Sequence, residues 1–370
     1  MKILWFTWKD RKHPLAGGAE MVNEELAKRL ATDGHEVIFL VGGFQGGVAE
    51  ETINGYRIVR LGGRLSVYYQ AYRYYKKNLK GWADLVIDEV NTMPFFCKFY
   101  VRERNIILCY QLCREIWFYQ IFFPLSMLGY ILEPVYLWLL RDRQVLTESS
   151  STKNDLTKYG FKEESIHVFP VGLEQEPISE ENFREQKKDG SPTLLYFGSI
   201  RSMKRPHHVL LAFEKAKMDI DDLKLVIGGS GNGTYAKGFL KMINNSCFAD
   251  DITYLGRVSQ EEKREIMRKA HVLCVTSIKE GWGLIITESN SCGTPAVVYD
   301  VDGLKDACKD GVTGLVCKKN DPEEMAGEVL RLLGDEDLYK KIRKQAYAGS
   351  YYYSRENSFQ VFSNILKKIL

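Results

Sequence analysis

CVTSIKEGWGLIITESNSCGTP, residues 274–295, decides how the rest of the chain is read. The apolar run Val272 to Val275 predicts a short buried strand. Leu284 to Ser291 has the spacing of an amphipathic helix, stopped by Cys292-Gly293-Thr294-Pro295. Between them, Glu280-Gly281-Trp282-Gly283 closes a loop. The two glycines beside Trp282 let the backbone approach a ligand. The helix that follows aims its unpaired amides, from Leu284 on, and its positive dipole end into the same space. A diphosphate suits that place. Glu280 in the loop and Glu288 on the second helical turn reach one pocket from different heights, and carboxylates beside a phosphate site accept hydrogen bonds from hydroxyls. A sugar and a ribose supply such hydroxyls. Two glutamates at this spacing also occur on ordinary solvated helix faces, so the flanking glycines and the Gly-Thr-Pro exit carry the reading.

The segment EGWGLIITE followed by CGTP resembles the donor-site signature of retaining glycosyltransferases of family 4. The resemblance implies an α/β chain of the GT-B fold: two Rossmann-like doubly wound domains facing each other across a cleft, the nucleotide held mainly by the C-terminal one. The chain is long enough for two such domains, each with its own core. Apolar strand-like runs at Lys2 to Thr7, His35 to Val41, Val86 to Asp88, Ile106 to Leu108 and Val145 to Thr147 alternate with helical patterns, as in a covered parallel sheet. Glu174 to Pro192 is polar and aperiodic. The expected division is therefore 1–175 for the acceptor-binding domain, 176–192 for a linker and 193–351 for the nucleotide-sugar domain, with a last helix, 352–370, packing back on the first.

A net charge of +3 argues against nucleic acid as a main partner, and eight scattered cysteines without a Cys-x-x-Cys or His/Cys cluster read as buried thiols in a reducing compartment. The start, MKILWFTWKD, has too short an apolar run for a secretory signal, so a cytoplasmic location is expected.

Further glycine loops follow predicted strands. Ala16-Gly17-Gly18-Ala19-Glu20 precedes a helix, and by resemblance Gly17 and Gly18 lie against the donor's diphosphate and sugar. Gly198-Ser199-Ile200-Arg201-Ser202-Met203-Lys204 follows a strand with cations suited to a leaving diphosphate. The family pattern has arginine directly after the glycine and lysine five residues on. Lys204 fills the second place, Ser199 stands in the first, and Arg201 or Arg205 compensates. Gly228-Gly229-Ser230-Gly231 resembles the loop that approaches the nucleotide, and Tyr254 to Val258 the stretch whose backbone faces the base, Val258 included. Near Cys109-Tyr110-Gln111-Leu112-Cys113-Arg114 many family members carry a histidine touching the transferred sugar. Here Tyr110 or Gln111 takes that place, with Arg114 as a further acceptor or sugar contact.

Two segments of the first half point to a membrane. Tyr68, Tyr72, Tyr75 and Leu79 form one helical stripe, opposite Arg73, Lys76, Lys77 and Lys80, and Arg57 to Arg114 holds eleven basic residues against four acidic ones. Ile116 to Leu140 is dense in aromatic and aliphatic residues but interrupted by Pro124, Gly129, Glu133 and Pro134, which predicts two short helices and not a span. Either a solvated face and plain core, or an anionic membrane surface and a lipid-linked acceptor, accounts for them.

The resemblance thus implies a hexosyltransferase moving a sugar with retention from a UDP- or GDP-sugar to an acceptor hydroxyl, and the basic helix and aromatic segment point to a lipid-linked or cell-surface glycan at the inner face of the membrane as that acceptor. Polysaccharide or glycolipid assembly would be its setting. The nucleotide-diphosphate sugar is a co-substrate, and no separate cofactor or metal is invoked. Glu280 would orient the sugar, Glu288 the ribose, and Lys204 with Arg201 would balance the diphosphate. A nucleotide-sugar epimerase, a sugar phosphorylase, or a catalytically silent partner subunit on the same fold stays open.

Overall fold

The computed structural model describes residues 1–188 and 190–370, with Gln120 by its backbone only; Asp189, in the stretch expected to be a linker, lies outside the described residues. The chain divides into two units, Met1–Gly172 with Arg355–Leu370, and Leu173–Ser354. In the first, apolar runs bury as strands: β1 (Lys2–Phe6), β2 (Glu36–Val41), β3 (Glu50–Ile53), β4 (Tyr56–Arg60), β5 (Leu85–Val90), β6 (Arg104–Cys109), β7 (Val145–Thr147) and β8 (Ile166–Val168). They form one sheet in the order β3-β4-β2-β1-β5-β6-β7-β8, parallel except for the β3–β4 pair. Ile3, Leu4, Trp5 and Phe6 are fully buried, which a strand covered on both faces requires.

The second unit holds β9 (Thr193–Phe197), β10 (Lys224–Gly228), β11 (Ile252–Gly256), β12 (Val272–Val275), β13 (Ala296–Tyr299) and β14 (Gly314–Cys317). All are parallel, in the order β11-β10-β9-β12-β13-β14. In each sheet the chain order reverses at one place, between β1 and β5 and between β9 and β12. Such a reversal point is the position where open α/β sheets bind ligands.

The described residues of 176–192 are not a free connector. Glu180–Glu185 is a helix whose Ser179 hydroxyl accepts from the Asn182 amide (3.2 Å), and Phe183 stacks on Tyr347 of the second unit at 4.0 Å. Aperiodic polarity concealed this because one aromatic ring anchors the segment.

The aromatic stretch also departs from expectation. After a short turn of helix, Trp117–Gln120, Leu125–Leu140 runs as one helix straight through Pro134. Its apparent interruptions are anchors. A Cβ on Gly129 would lie 2.4 Å from the Trp117 ring, so only glycine lets the indole pack there. Glu133 is buried and accepts from the amides of Cys113 and Arg114 (2.6 Å each) and from Trp117 Nε1 (3.1 Å). In the basic helix, the buried stripe is Val67, Ala71, Tyr75 and Leu79, four residues apart, while Tyr72 is exposed; the wide π turn over Tyr75–Leu79 keeps Leu79 on the face of Tyr75.

Candidate functional site

At the reversal point of the second sheet, the loops after β9 and β12 are stitched together by backbone. The Ile278 amide donates to Met203 (2.9 Å), and the Thr276 hydroxyl donates to the carbonyls of Lys204 (3.0 Å) and Arg205 (2.8 Å). This brings the Lys204 ammonium onto Glu280 Oε1, which also accepts from Ser277 Oγ at 2.6 Å. The loop after β13 closes the third side, the Glu280 amide donating to Asp302 (3.2 Å). A cation and a carboxylate, each about one-fifth exposed (22% and 17%), thus stand where β9 and β12 part.

The glycine loops surround that pair. Gly198 donates to the Gly228 carbonyl (3.1 Å), Ile200 to Ser230 (3.0 Å) and Gly229 to Gly256 (2.6 Å), so the loops after β9, β10 and β11 form one layer. Gly231 lies so close under Ile200 that a Cβ would sit 2.2 Å from its carbonyl oxygen. Ser199 Oγ accepts from Arg201 Nε (2.8 Å), which places a guanidinium at the layer's open edge. Gly283, at φ +88, caps the helix Leu284–Ser291. Glu288 follows on its second turn, 2.6 Å from Lys263 Nζ. Gly281 and Leu284 are partly exposed at this helix start, Trp282 is buried against Tyr353 (5.2 Å), and Val258 is half-buried just before the helix Gln260–Lys269.

In the first unit, Gly17 caps the helix Gly18–Thr32, and its amide donates to Glu20 Oε2 (2.6 Å). Lys9 Nζ stands 3.2 Å from the other Glu20 oxygen. Behind this loop, at the β1/β5 reversal point, Glu89 accepts from Asn23 Nδ2 (2.7 Å) and Trp5 Nε1 (3.3 Å), and Asn23 Oδ1 accepts from the Tyr110 hydroxyl (2.6 Å). Burial, with the charge of Glu20 adding to it, pushes the Glu89 carboxyl up to about 8.

Residues 16–176 match the family profile "Glycosyltransferase Family 4", and residues 177–349 match "Glycosyl transferases group 1". The chain belongs to the family 4 glycosyltransferases. Among curated relatives, N-acetyl-alpha-D-glucosaminyl L-malate synthase of Bacillus anthracis is 27% identical over 158 residues, 43% of this chain and 40% of that protein. The chain spans about half the length of the curated relatives it matches. The fold is that of solved GT-B structures. Sucrose-phosphate synthase of Thermosynechococcus elongatus superposes with a TM-score of 0.80 at 17% identity, over 100% of this chain and 98% of that one. Anabaena HepE, solved with UDP and glucose, superposes with a TM-score of 0.75 at 16% identity, over 100% of both chains.

Of the residues singled out from the sequence, Gly198, Ser199, Arg201, Lys204, Gly229, Gly231, Glu280 and the Gly281 to Leu284 turn gather at the strand ends of one reversal point, with Glu288 one helical turn further. Tyr110 and Arg114 serve differently. The Tyr110 hydroxyl is turned inward onto Asn23, and Arg114 lies flat on the Tyr130 ring (4.1 Å) and donates to the Tyr130 carbonyl (3.2 Å), so both pack their own unit. Gln111 keeps a buried Oε1 without a partner among the described residues. Sequence reasoning missed Lys263, Ser277, Asn23 and Glu89. Only the two-residue spacing of Glu89 after Ile87 at a strand end hinted at any of them.

The Glu89 carboxyl gives a pH signature. Near its ordinary 4.5 and below, it is protonated in folded and unfolded chains alike. As pH rises toward about 8 the unfolded chain loses the proton first, so stability falls across that window and levels off above it. Asp88, pushed to about 6 by burial, adds to the lower part of the slope. Denaturation measured across this range is expected to show the decline, and Glu89→Gln to remove the part between about 6 and about 8 while keeping the Asn23 and Trp5 bonds. An unchanged pH profile in Glu89→Gln would place the titration elsewhere.

Proposed function

We propose that this chain transfers a hexose, with retention of configuration, from a nucleoside diphosphate sugar to a hydroxyl of a lipid-linked or cell-surface glycan at the inner face of the cell membrane. The observation that carries this is the Lys204–Glu280 pair at the β9/β12 reversal point, ringed by glycine loops and a helix start. The amides of Ser199 and Leu284, with Lys204 and Arg201, hold the diphosphate and balance its charge as it leaves. Glu280, fixed by Ser277 and Lys204, accepts from the sugar's hydroxyls, and Glu288 accepts from the ribose. The bond from the anomeric carbon to the diphosphate oxygen breaks, the acceptor oxygen bonds to that carbon on the same face, and the acceptor's proton passes to the diphosphate. HepE, a fold relative solved with UDP and glucose, supports UDP as the first nucleotide to test.

Thermal denaturation against nucleoside diphosphates and their sugars tests the reading. One nucleotide is expected to raise the melting temperature selectively, by about 2.7 kcal/mol of stabilisation at a hundred times its Kd. Glu288→Ala is expected to weaken that ligand about tenfold, the loss of one or two charge-assisted bonds. In turnover assays it should raise KM and leave kcat nearly unchanged. Stabilisation by none of the nucleotides would overturn the assignment and favour a silent partner subunit.

A further inference from the structure

The helix Leu125–Leu140 is built inside out. Its one charged side chain, Glu133, points into the domain with Ser126, whereas the outward face carries Leu128, Ile131, Val135 and Trp138, each more than half exposed. These positions recur three and four residues apart, so they form one stripe. The turn before the helix extends it, with Phe122 and Phe123 73% and 74% exposed. A contiguous face of this kind is rare on a soluble surface and marks an interaction site.

Its rim is cationic. The Arg141 guanidinium lies over the Trp138 ring at 4.4 Å. Lys98 Nζ donates to the Leu139 carbonyl (2.6 Å) at the end of the helix, beside Phe99, which is also exposed. Next along the surface, Tyr100 packs on Tyr72 (4.9 Å) and its carbonyl accepts from Lys76 Nζ (3.5 Å). Lys76 belongs to the basic helix, where Arg73, Lys77 and Lys80 are exposed as well. Apolar stripe, aromatic shoulder and basic helix are therefore one continuous surface within the first unit.

We propose that this surface docks onto an anionic lipid bilayer, with the Phe122 to Trp138 face in the acyl boundary and the basic helix at the headgroups. The inference deepens the membrane-face reading of the acceptor given above, but it uses no residue of the donor site. Sixteen residues followed by Arg141-Asp142-Arg143 are too short and too closely flanked by charge to span, and among the described residues no helix is long and apolar enough to cross a membrane. The helix lies in the interface instead. Pairing with a second copy is disfavoured because a two-fold contact would bring the two basic rims together, whereas anionic headgroups attract them.

Flotation of the full chain with phosphatidylcholine vesicles, with and without phosphatidylglycerol, tests this. The protein is expected to float with the anionic vesicles. Ile131→Ser combined with Val135→Ser should lower the partition coefficient about tenfold or more. Lys76→Glu combined with Lys77→Glu should abolish the preference for phosphatidylglycerol and the salt dependence. Both variants should melt as the parent does, since all four side chains are exposed. No flotation, flotation unchanged in the serine variant, or a dimer in sedimentation that the serine variant dissolves without any vesicle binding would each overturn the proposal. Vesicle binding with no nucleotide response would leave it standing and sink the donor-site reading, and nucleotide response without vesicle binding would do the reverse.

Discussion

Lys204→Ala is expected to lower kcat/KM by about a hundred- to a thousandfold with no loss of thermal stability. The lysine's backbone is held independently of its ammonium, by the Thr276 hydroxyl on its carbonyl and by Ile278 on the Met203 carbonyl, so truncation leaves the loop in place. What disappears is the positive charge at the reversal point, and the loss has two parts. The leaving diphosphate loses a cation as its charge grows, and Glu280 is left as an unbalanced carboxylate beside an anionic ligand. Removing both partners should therefore cost less than the sum of the single changes, because each single change also strands the other charge. Lys204→Arg should recover part of the rate, since the charge returns with a different reach. The check is steady-state kinetics of these variants and of Glu280→Ala, four in all, with the donor identified by thermal shift. A Lys204→Ala enzyme within about threefold of the parent would remove this residue from the chemistry.

Gly229→Ala is expected to destabilise the second unit by about 3 kcal/mol or more and to abolish nucleotide-dependent stabilisation. Gly229 sits at φ +127, a conformation side chains rarely adopt, and an added Cβ would lie 1.9 Å from the Gly198 carbonyl oxygen. That oxygen belongs to backbone and cannot swing aside. Relief would require breaking the 2.6 Å bond from Gly229 to Gly256 or parting the loops after β9 and β10, the first of which carries the proposed diphosphate amide of Ser199. In melting experiments this amounts to roughly 6–12 °C for a unit of this size. Gly238→Ala is the control: it lies inside the helix Gly233–Asn244 with nothing within 4 Å of the added carbon, so a slight gain is expected. Equal effects at the two positions would show that the loop layer is not the tight assembly its distances indicate.

Much of this fold was legible before folding. Buried parallel strands announce themselves as unbroken apolar runs such as Ile3 to Phe6 and Val272 to Val275, because both their faces are covered. Glycines placed just after such runs mark strand-end loops, and Glu280 with Glu288 could be set on one helix start by spacing alone. These are local signals, carried by residues within one or two turns of each other.

Tertiary structure decided the rest. Strand order is not written in periodicity, so nothing in the sequence says that β9 and β12 become neighbours and bring Lys204 to Glu280, 76 positions away. Lys263 reached Glu288, and Glu89 reached Asn23, for the same reason. The Leu125–Leu140 helix shows the limit most plainly. Gly129, Glu133 and Pro134 read as breaks in an apolar segment, yet Gly129 makes room for Trp117, and Glu133 is drawn inward by three donors from residues 113–117. A buried carboxylate must find hydrogen-bond donors, and those were supplied by chain already folded beneath it. That demand turned the polar side of the helix to the core and left its apolar side facing out.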